Sequence, residues 1–507
     1  MEDALVELKR RLAEIVDVRR AERLLSWDQH VVMPPGGANA RAEQLATLGR
    51  ISHDLFVSDD IGRLLERLRP FGEQPPHDSD DAALVRVTRR DWEKARRVPS
   101  ELRAEITRQA ALAYETWTEA RRTSNFSLFL PALEKNVELK HRYVECFEPR
   151  DELYDILLDD FEEGMTTAEA RAVLDDVREE LVPLIREVAE RSDAVDDSCL
   201  YGDFPLERQK HFEHVVLERF GYDPASWRLD PTVHPFASST TTTDIRITTR
   251  YFSDRFESLF STMHEFGHGL YEHQVDPALE RTPLQRGASM ALHESQSRMW
   301  ENLVGRSLPF WRRFYPQLQK LFPEPLGRVD VEAFYRAVNK VQPSFIRVEA
   351  DEATYNLHII LRFELEQEVF GGELRLADLP DAWNARMREY LGIDVPDDAK
   401  GVLQDVHWSF GGFGYFPTYS LGNVVSCQIW EKLREALPDL DDQIEQGDFA
   451  PLRDWLREHL HRHGRKFTPR ETLERVVGGP MDAGPYIRYL REKLGGIYEL
   501  ETAAAVL

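Results

Sequence analysis

The sequence has little cysteine: Cys146, Cys199 and Cys427 are the three in 507 residues. They stand too far apart to build a zinc ribbon or a disulfide framework, which fits a reducing, cytoplasmic setting. General burial behaviour makes each a small core hydrophobe rather than a nucleophile. No run of 18 apolar residues occurs, and the opening MEDALVELKRRLAEIVDVRR reads as charged helix rather than a basic stretch followed by an apolar one. Both observations argue against a membrane span and a secretory signal. Basic blocks are missing too. Lys plus Arg number 64 against 90 Asp plus Glu, a formal charge of −26 spread along the chain. Nucleic acid and anionic membranes are therefore poor partners, because phosphate binding needs a concentrated positive surface. An anionic ligand would have to be met locally, by an arginine.

What is present is helix. With 42% hydrophobic and 30% charged residues, the chain can bury a large core and should form two or three closely packed subdomains. Apolar residues recur at three- and four-residue intervals over 3–24, 102–122, 168–192, 254–274, 288–304, 350–369 and 428–436, the period of an amphipathic helix. Proline and glycine mark loops at 33–40, 69–78 and 411–423. Residues 238–252, SSTTTTDIRITTRYF, are rich in Thr, Ile and Tyr with rough alternation, which predicts a strand just before the 254–274 helix. An exposed edge there would accept an extended peptide as a further strand.

The stretch STMHEFGHGLYEH, 261–273, puts His264 and His268 one helical turn apart with Glu265 beside the first. Both imidazoles then project from one face and can reach one ion, with the carboxylate flanking it. Random placement of the chain's 16 histidines and its glutamates gives on the order of 0.05 such patterns, against the alternative of two surface histidines bonded to neighbours. Ser253 or Asp254 is positioned to cap the helix, and Phe256, Leu259, Phe260, Met263 and Leu270 form an apolar stripe beside the pair.

A catalytic zinc needs a third protein ligand and an open position. Glu272 lies about 6 Å further along the same helix and points past the ion. His273 falls one position early for a third histidine ligand at the fixed metzincin spacing. Glu294, in ALHESQSRMW, is 26 residues beyond His268, enough for a turn through Asp276–Pro277 and Thr282–Pro283 and a returning helix. His293 and Ser297 flank Glu294 and are the expected partners orienting it.

These residues, with WDQHVVMPPGGANARAEQLATL at 27–48, His234–Pro235–Phe236, DIRIT at 244–248, HESQS at 293–297, IRVEAD at 346–351, GVLQDVHW at 401–408 and FGYFPTYSLGN at 413–423, resemble the carboxypeptidase Taq family, peptidase family M32. The resemblance runs from Trp27 to Asn423 and implies a mainly α fold, similar to that of neurolysin and angiotensin-converting enzyme. It implies one unit over 1–507, two helical halves flanking a deep groove with a small sheet on its wall. It further implies a homodimer, a divalent ion, usually Zn2+ though Co2+ serves, and release of single residues from peptide C-termini with broad specificity. On this reading His264, His268 and Glu294 hold the metal and Glu265 is the general base. His407 with Tyr419, ahead of Tyr415, stabilises the oxyanion. Arg347, ahead of Arg246, receives the C-terminal carboxylate, Asp244 orients Arg246, and His234 lines the groove.

Overall fold

The structure is a computed structural model and describes residues 1–73 and 78–500. Among the described residues the fold is mainly α with one three-stranded sheet. The described residues form two compact units, each assembled from three segments: those within 1–96, 198–335 and 429–479 make the first, those within 97–197, 336–428 and 480–500 the second.

In the first unit the N-terminal helix, Glu2–Val31, buries Leu8, Leu12 and Ile15 against Phe56, Ile61, Leu65 and Leu68 and against Val275, Leu279 and Leu284. A second core is aromatic. Phe220 packs on Phe266, Trp300, Phe310 and Phe449, with ring centroids 4.6 to 6.2 Å apart. Such large rings supply most of the apolar area that holds the neighbouring helices together.

The sheet differs from expectation. Residues 238–252 give two strands, β2 (Ala237–Thr241) and β3 (Asp244–Thr249), joined by a tight turn. A third, β1 (Trp227–Pro231), runs parallel to β3, so that β3 is central. Ile245 and Ile247 of β3 are fully buried.

The histidine helix spans Ser258–His273 and not 254–274. Its N-cap position is Glu257, with no side-chain cap, so Ser253 and Asp254 do not cap it. Their carbonyls instead accept from Phe204 and Gly202 N–H at 2.9 Å, which ties this stretch to the 202–204 segment. Two glycines of HEFGHG set the packing. A Cβ on Gly267 would lie 2.4 Å from the Gln296 carbonyl oxygen, and one on Gly269 would lie 2.6 Å from the Trp227 ring and 2.8 Å from Ile245. One glycine thus admits the backbone of the next helix and the other admits the sheet.

That next helix, Met290–Arg298, starts at Ser289, whose hydroxyl accepts from Leu292 N–H at 3.2 Å. It continues into a wider π-helical turn, Met299–Val304.

In the second unit buried hydrogen bonds fix the loop that carries GVLQDVHW. Trp117 donates to the Leu403 carbonyl at 3.0 Å, and the Asn136 amide donates to the carbonyls of Trp408 and Ser409 at 2.8 and 2.9 Å. The carboxylate of Glu366 accepts from Tyr154, Trp408 and the Gly414 N–H at 2.6 to 2.9 Å. The expected loop 411–423 ends early, because a helix begins at Pro417, the first helical position that proline's fixed φ favours. The loop expected at 69–78 is helical to Glu73 despite Pro70, and 74–77 lie outside the described residues.

Candidate metal centre

The histidine helix is held by the apolar stripe read from the sequence: Phe256, Leu259, Phe260, Met263 and Leu270 are all buried. His264 and His268 leave the same face, ring centroids 4.9 Å apart. Glu294 from the following helix meets them. Its Oε2 lies 3.8 Å from His264 Nε2 and 3.5 Å from His268 Nε2.

The outer nitrogens of both rings are engaged. His264 Nδ1 lies 2.9 Å from Glu301 Oε2. His268 Nδ1 lies 2.7 Å from His293 Nδ1, and His293 Nε2 lies 2.9 Å from Glu272 Oε1. Carboxylates at the two ends accept only. His293 therefore donates to Glu272 and accepts from His268, while His264 donates to Glu301. Both Nε2 lone pairs are left facing Glu294.

One donor atom from each of His264, His268 and Glu294 lies within 4.8 Å of the others. Ligands of a tetrahedral ion with bonds near 2.1 Å sit roughly 3.4 Å apart, so the spacing and the donor set both fit a single divalent cation.

Charge around the three side chains governs whether each could ligate. Burial opposes ionisation of Glu294, but Arg298, His264 and His268 hold its carboxyl well below the ordinary range. Arg298 donates to Glu294 at 2.8 Å and to Glu301 at 3.2 Å. Burial draws His268 down to about 4, which leaves its ring unprotonated near neutral pH and able to ligate. Burial also works against a charged His264, yet Glu294 and Glu301 carry it above its usual value, so a proton and a cation compete for its Nε2. Glu265, buried beside His264, is pushed up to about 7 by desolvation and by the carboxylates of Glu294 and Glu301. A carboxyl poised near neutrality suits a proton carrier.

Residues 7–494 match the carboxypeptidase Taq (M32) metallopeptidase family. This chain belongs to that family. Among M32 relatives, thermostable carboxypeptidase 1 of Thermus thermophilus is 41% identical over 506 residues, covering 97% of this chain and 98% of that protein. Carboxypeptidase 1 of Bacillus subtilis is 38% identical, covering 96% and 97%. The crystal structure of the M32 carboxypeptidase from Deinococcus radiodurans is similar with a TM-score of 0.95 at 40% identity, covering 98% of this chain and 100% of that one. The protein is thus an M32 metallocarboxypeptidase, a hydrolase whose centre takes a divalent metal.

The remaining candidate residues of this M32 chain fall into two groups. In the first unit Arg246 is paired with Asp244 through two bonds of 2.8 and 3.1 Å and lies 4.4 Å over the Trp27 ring. His234 is exposed in the turn before β2. In the second unit Arg347 is buried, donating to Asp405 at 2.6 and 3.1 Å and to Tyr355 at 2.9 Å. Asp405 also accepts from Arg362 at 2.8 Å. Although desolvation opposes it, these two guanidiniums hold the Asp405 carboxyl far below its usual range. His407 Nε2 lies 3.4 Å from the Tyr419 hydroxyl. Burial draws the His407 ring down to about 4. Tyr415 packs on both, centroids 5.5 and 5.2 Å away.

Sequence reasoning did not find Glu301, Arg298 or the role of Glu272. The available signal was spacing: Arg298 and Glu301 follow Glu294 by four and seven positions, one face of a helix. His293 orients His268 rather than Glu294, and the Ser297 hydroxyl donates to the main-chain carbonyl of Glu294 at 2.7 Å rather than to its carboxylate.

Proposed function

We propose that this protein releases single amino acids from the free C-termini of peptides with broad specificity, the whole chain acting as one metallocarboxypeptidase. The observation that carries the reading is the meeting of two imidazole lone pairs and the Glu294 carboxylate with Glu265 alongside. His264, His268 and Glu294 would hold the cation, Zn2+ by the two-nitrogen, one-oxygen donor set, with Co2+ an effective substitute. A cation bound there supplies Lewis acidity toward water and a peptide carbonyl.

Glu265 takes the proton of the attacking water and passes it to the departing amine. Arg298 offsets the two carboxylates, and Glu301 and His293 keep the imidazoles in the ligating tautomer. His407 and Tyr419 donate toward the developing oxyanion, with Tyr415 as alternative. A lost donor of this kind costs roughly 3 kcal/mol of barrier. Arg347 receives the terminal carboxylate: Asp405 and Tyr355 use three of its N–H groups, leaving two of a guanidinium's five. Arg246, held by Asp244, and His234 belong to the peptide path along the β-strands. These roles rest on the family resemblance. We also place the enzyme in the cytoplasm as a homodimer, without nucleic-acid or membrane partners.

The test is a timed mass ladder from one peptide offered with a free and with an amidated C-terminus. Stepwise loss of single residues from the free form alone supports the proposal. Internal cuts, or equal cleavage of the amide, would reject it.

A further inference from the structure

The N-terminal helix lays one stripe of side chains against the segment that links the two ligand-bearing helices and against the sheet, and almost every member of that stripe is paired. Asp17 accepts from Arg281 at 3.0 Å. Arg20 donates to Glu280 at 2.6 Å and to Gln285. Trp27 takes Arg246 and Arg228 on its ring at 4.4 and 4.7 Å. Arg23, between them on the same face, has no hydrogen bond, ion pair or ring contact among the described residues. The residue next to Gln285 is Arg286, whose guanidinium likewise has none.

Both arginines are exposed. Desolvation and the cationic neighbours Arg465 and Arg23 draw the Arg286 guanidinium down to about 10. The acids within electrostatic reach of Arg286 are Asp91 and Glu272, and both are already engaged. Asp91 accepts two bonds from Arg465 at 2.6 and 2.9 Å, while Glu272 accepts from His293, the Gly287 N–H and Ser239. Two like charges without a counter-ion of their own are an arrangement that an anion would relieve.

Their position gives that anion a use. Gly287, adjacent to Arg286, packs so closely that a Cβ there would lie 2.7 Å from His293 Cδ2, and His293 is bonded to the ligand His268. In a chain of charge −26, a peptide's carboxylates are repelled at long range and need local cations to dock. We propose that Arg23 and Arg286 form an anion subsite bordering the metal centre that receives an acidic side chain of the peptide substrate, the terminal carboxylate being met by Arg347. The assignment rests on the reading that the chain hydrolyses peptides and adds a specificity determinant outside the family motifs.

The experiment compares the zinc-loaded wild type with Arg23→Gln, Arg286→Gln and the double variant. The substrates are a neutral tetrapeptide with a free C-terminus and the same peptide with glutamate at either of its last two positions. Because both side chains are exposed and unbonded, thermal midpoints should match the wild type. The subsite requires the double variant to raise KM at least tenfold with kcat within threefold. Arg→Lys at both positions, which keeps the charges, should restore most of the loss. A rise confined to the glutamate peptides upholds the subsite, and an equal rise for every peptide, the neutral one included, overturns it. KM within twofold throughout overturns the proposal, and so does a fall in kcat at constant KM, which would mean the arginines act on the metal centre instead. Equilibrium binding of the same peptides to the zinc-loaded chains reads the subsite separately. If the wild type released no residue at all, the general function would fail, yet binding weakened by the two substitutions would still uphold the subsite.

Discussion

Glu301 accepts from the Nδ1 of His264 at 2.9 Å, although it stands seven residues beyond Glu294 and past the point where the regular helix gives way to a π-helical turn. Single π turns are frequent at functional sites because they re-aim a side chain without ending the helix. Here the turn carries Glu301 to the ring whose tautomer decides whether Nε2 can ligate. Glu301→Gln should leave the fold intact and weaken metal binding about 10- to 100-fold, read by competition with a chelator. Unchanged affinity would remove Glu301 from the centre's support.

Glu265→Gln separates chemistry from binding. The amide keeps the shape of the side chain but cannot take a proton, so the variant should bind metal as the wild type does and lose at least about 10²-fold in turnover. Near-normal turnover would dismiss Glu265 as the base.

Gly267→Ala tests the packing that brings the ligands together. The added methyl would meet the Gln296 carbonyl and the Ser297 backbone at 2.4 to 2.6 Å, and backbone cannot swing aside as a side chain can. We expect a loss of about 1–3 kcal/mol from overpacking, seen in denaturant unfolding, together with weaker metal binding because Glu294 is displaced. Wild-type values for both would show the approach to be looser than described.

A buried acid away from the centre gives a pH signature. Glu213 is pushed from 4.5 up to about 7 by desolvation. Its bonding agrees, because the Ser258 hydroxyl lies 2.5 Å from Glu213 and 2.9 Å from the Gln209 carbonyl oxygen and has one proton for two acceptors. A protonated Glu213 donates to Ser258, which then donates to Gln209. With the folded value raised, the folded state holds the proton more tightly. Its stabilising contribution is complete below about 4.5 and is lost as pH rises toward 7, roughly 3 kcal/mol in all. Glu213→Gln should flatten that slope in stability measured from pH 4.5 to 7.5. An identical slope in both proteins would assign the dependence elsewhere.

The sequence was most legible where one element carries both a pattern and a motif. The histidine helix showed an apolar stripe and two imidazoles one turn apart, and Glu294 followed from the need for a third ligand on a returning helix. Its start was misplaced because Ser253 and Asp254 look like caps, whereas their carbonyls pair with Gly202 and Phe204 from a segment 50 residues earlier. Trp227–Pro231 showed no strand signal because it is short, and its partner β3 follows in the sequence only after β2. Pro417 read as a loop residue and proved to open a helix, since the same residue type serves both ends of that distinction. The supporting set of Glu301, Arg298 and the His293–Glu272 pair was hidden for a different reason. It depends on which nitrogen of each ring is left free, and that is fixed by contacts between helices rather than by spacing along one.

The claim on which the rest stands is that His264, His268 and Glu294 jointly bind one catalytic cation. Metal content at equilibrium with buffered Zn2+, measured for the wild type and for Glu294→Ala, tests it most directly. The account requires about one ion per folded wild-type chain and a loss of most of it in the variant at the same free zinc concentration. Equal stoichiometry and affinity in the two proteins would contradict it.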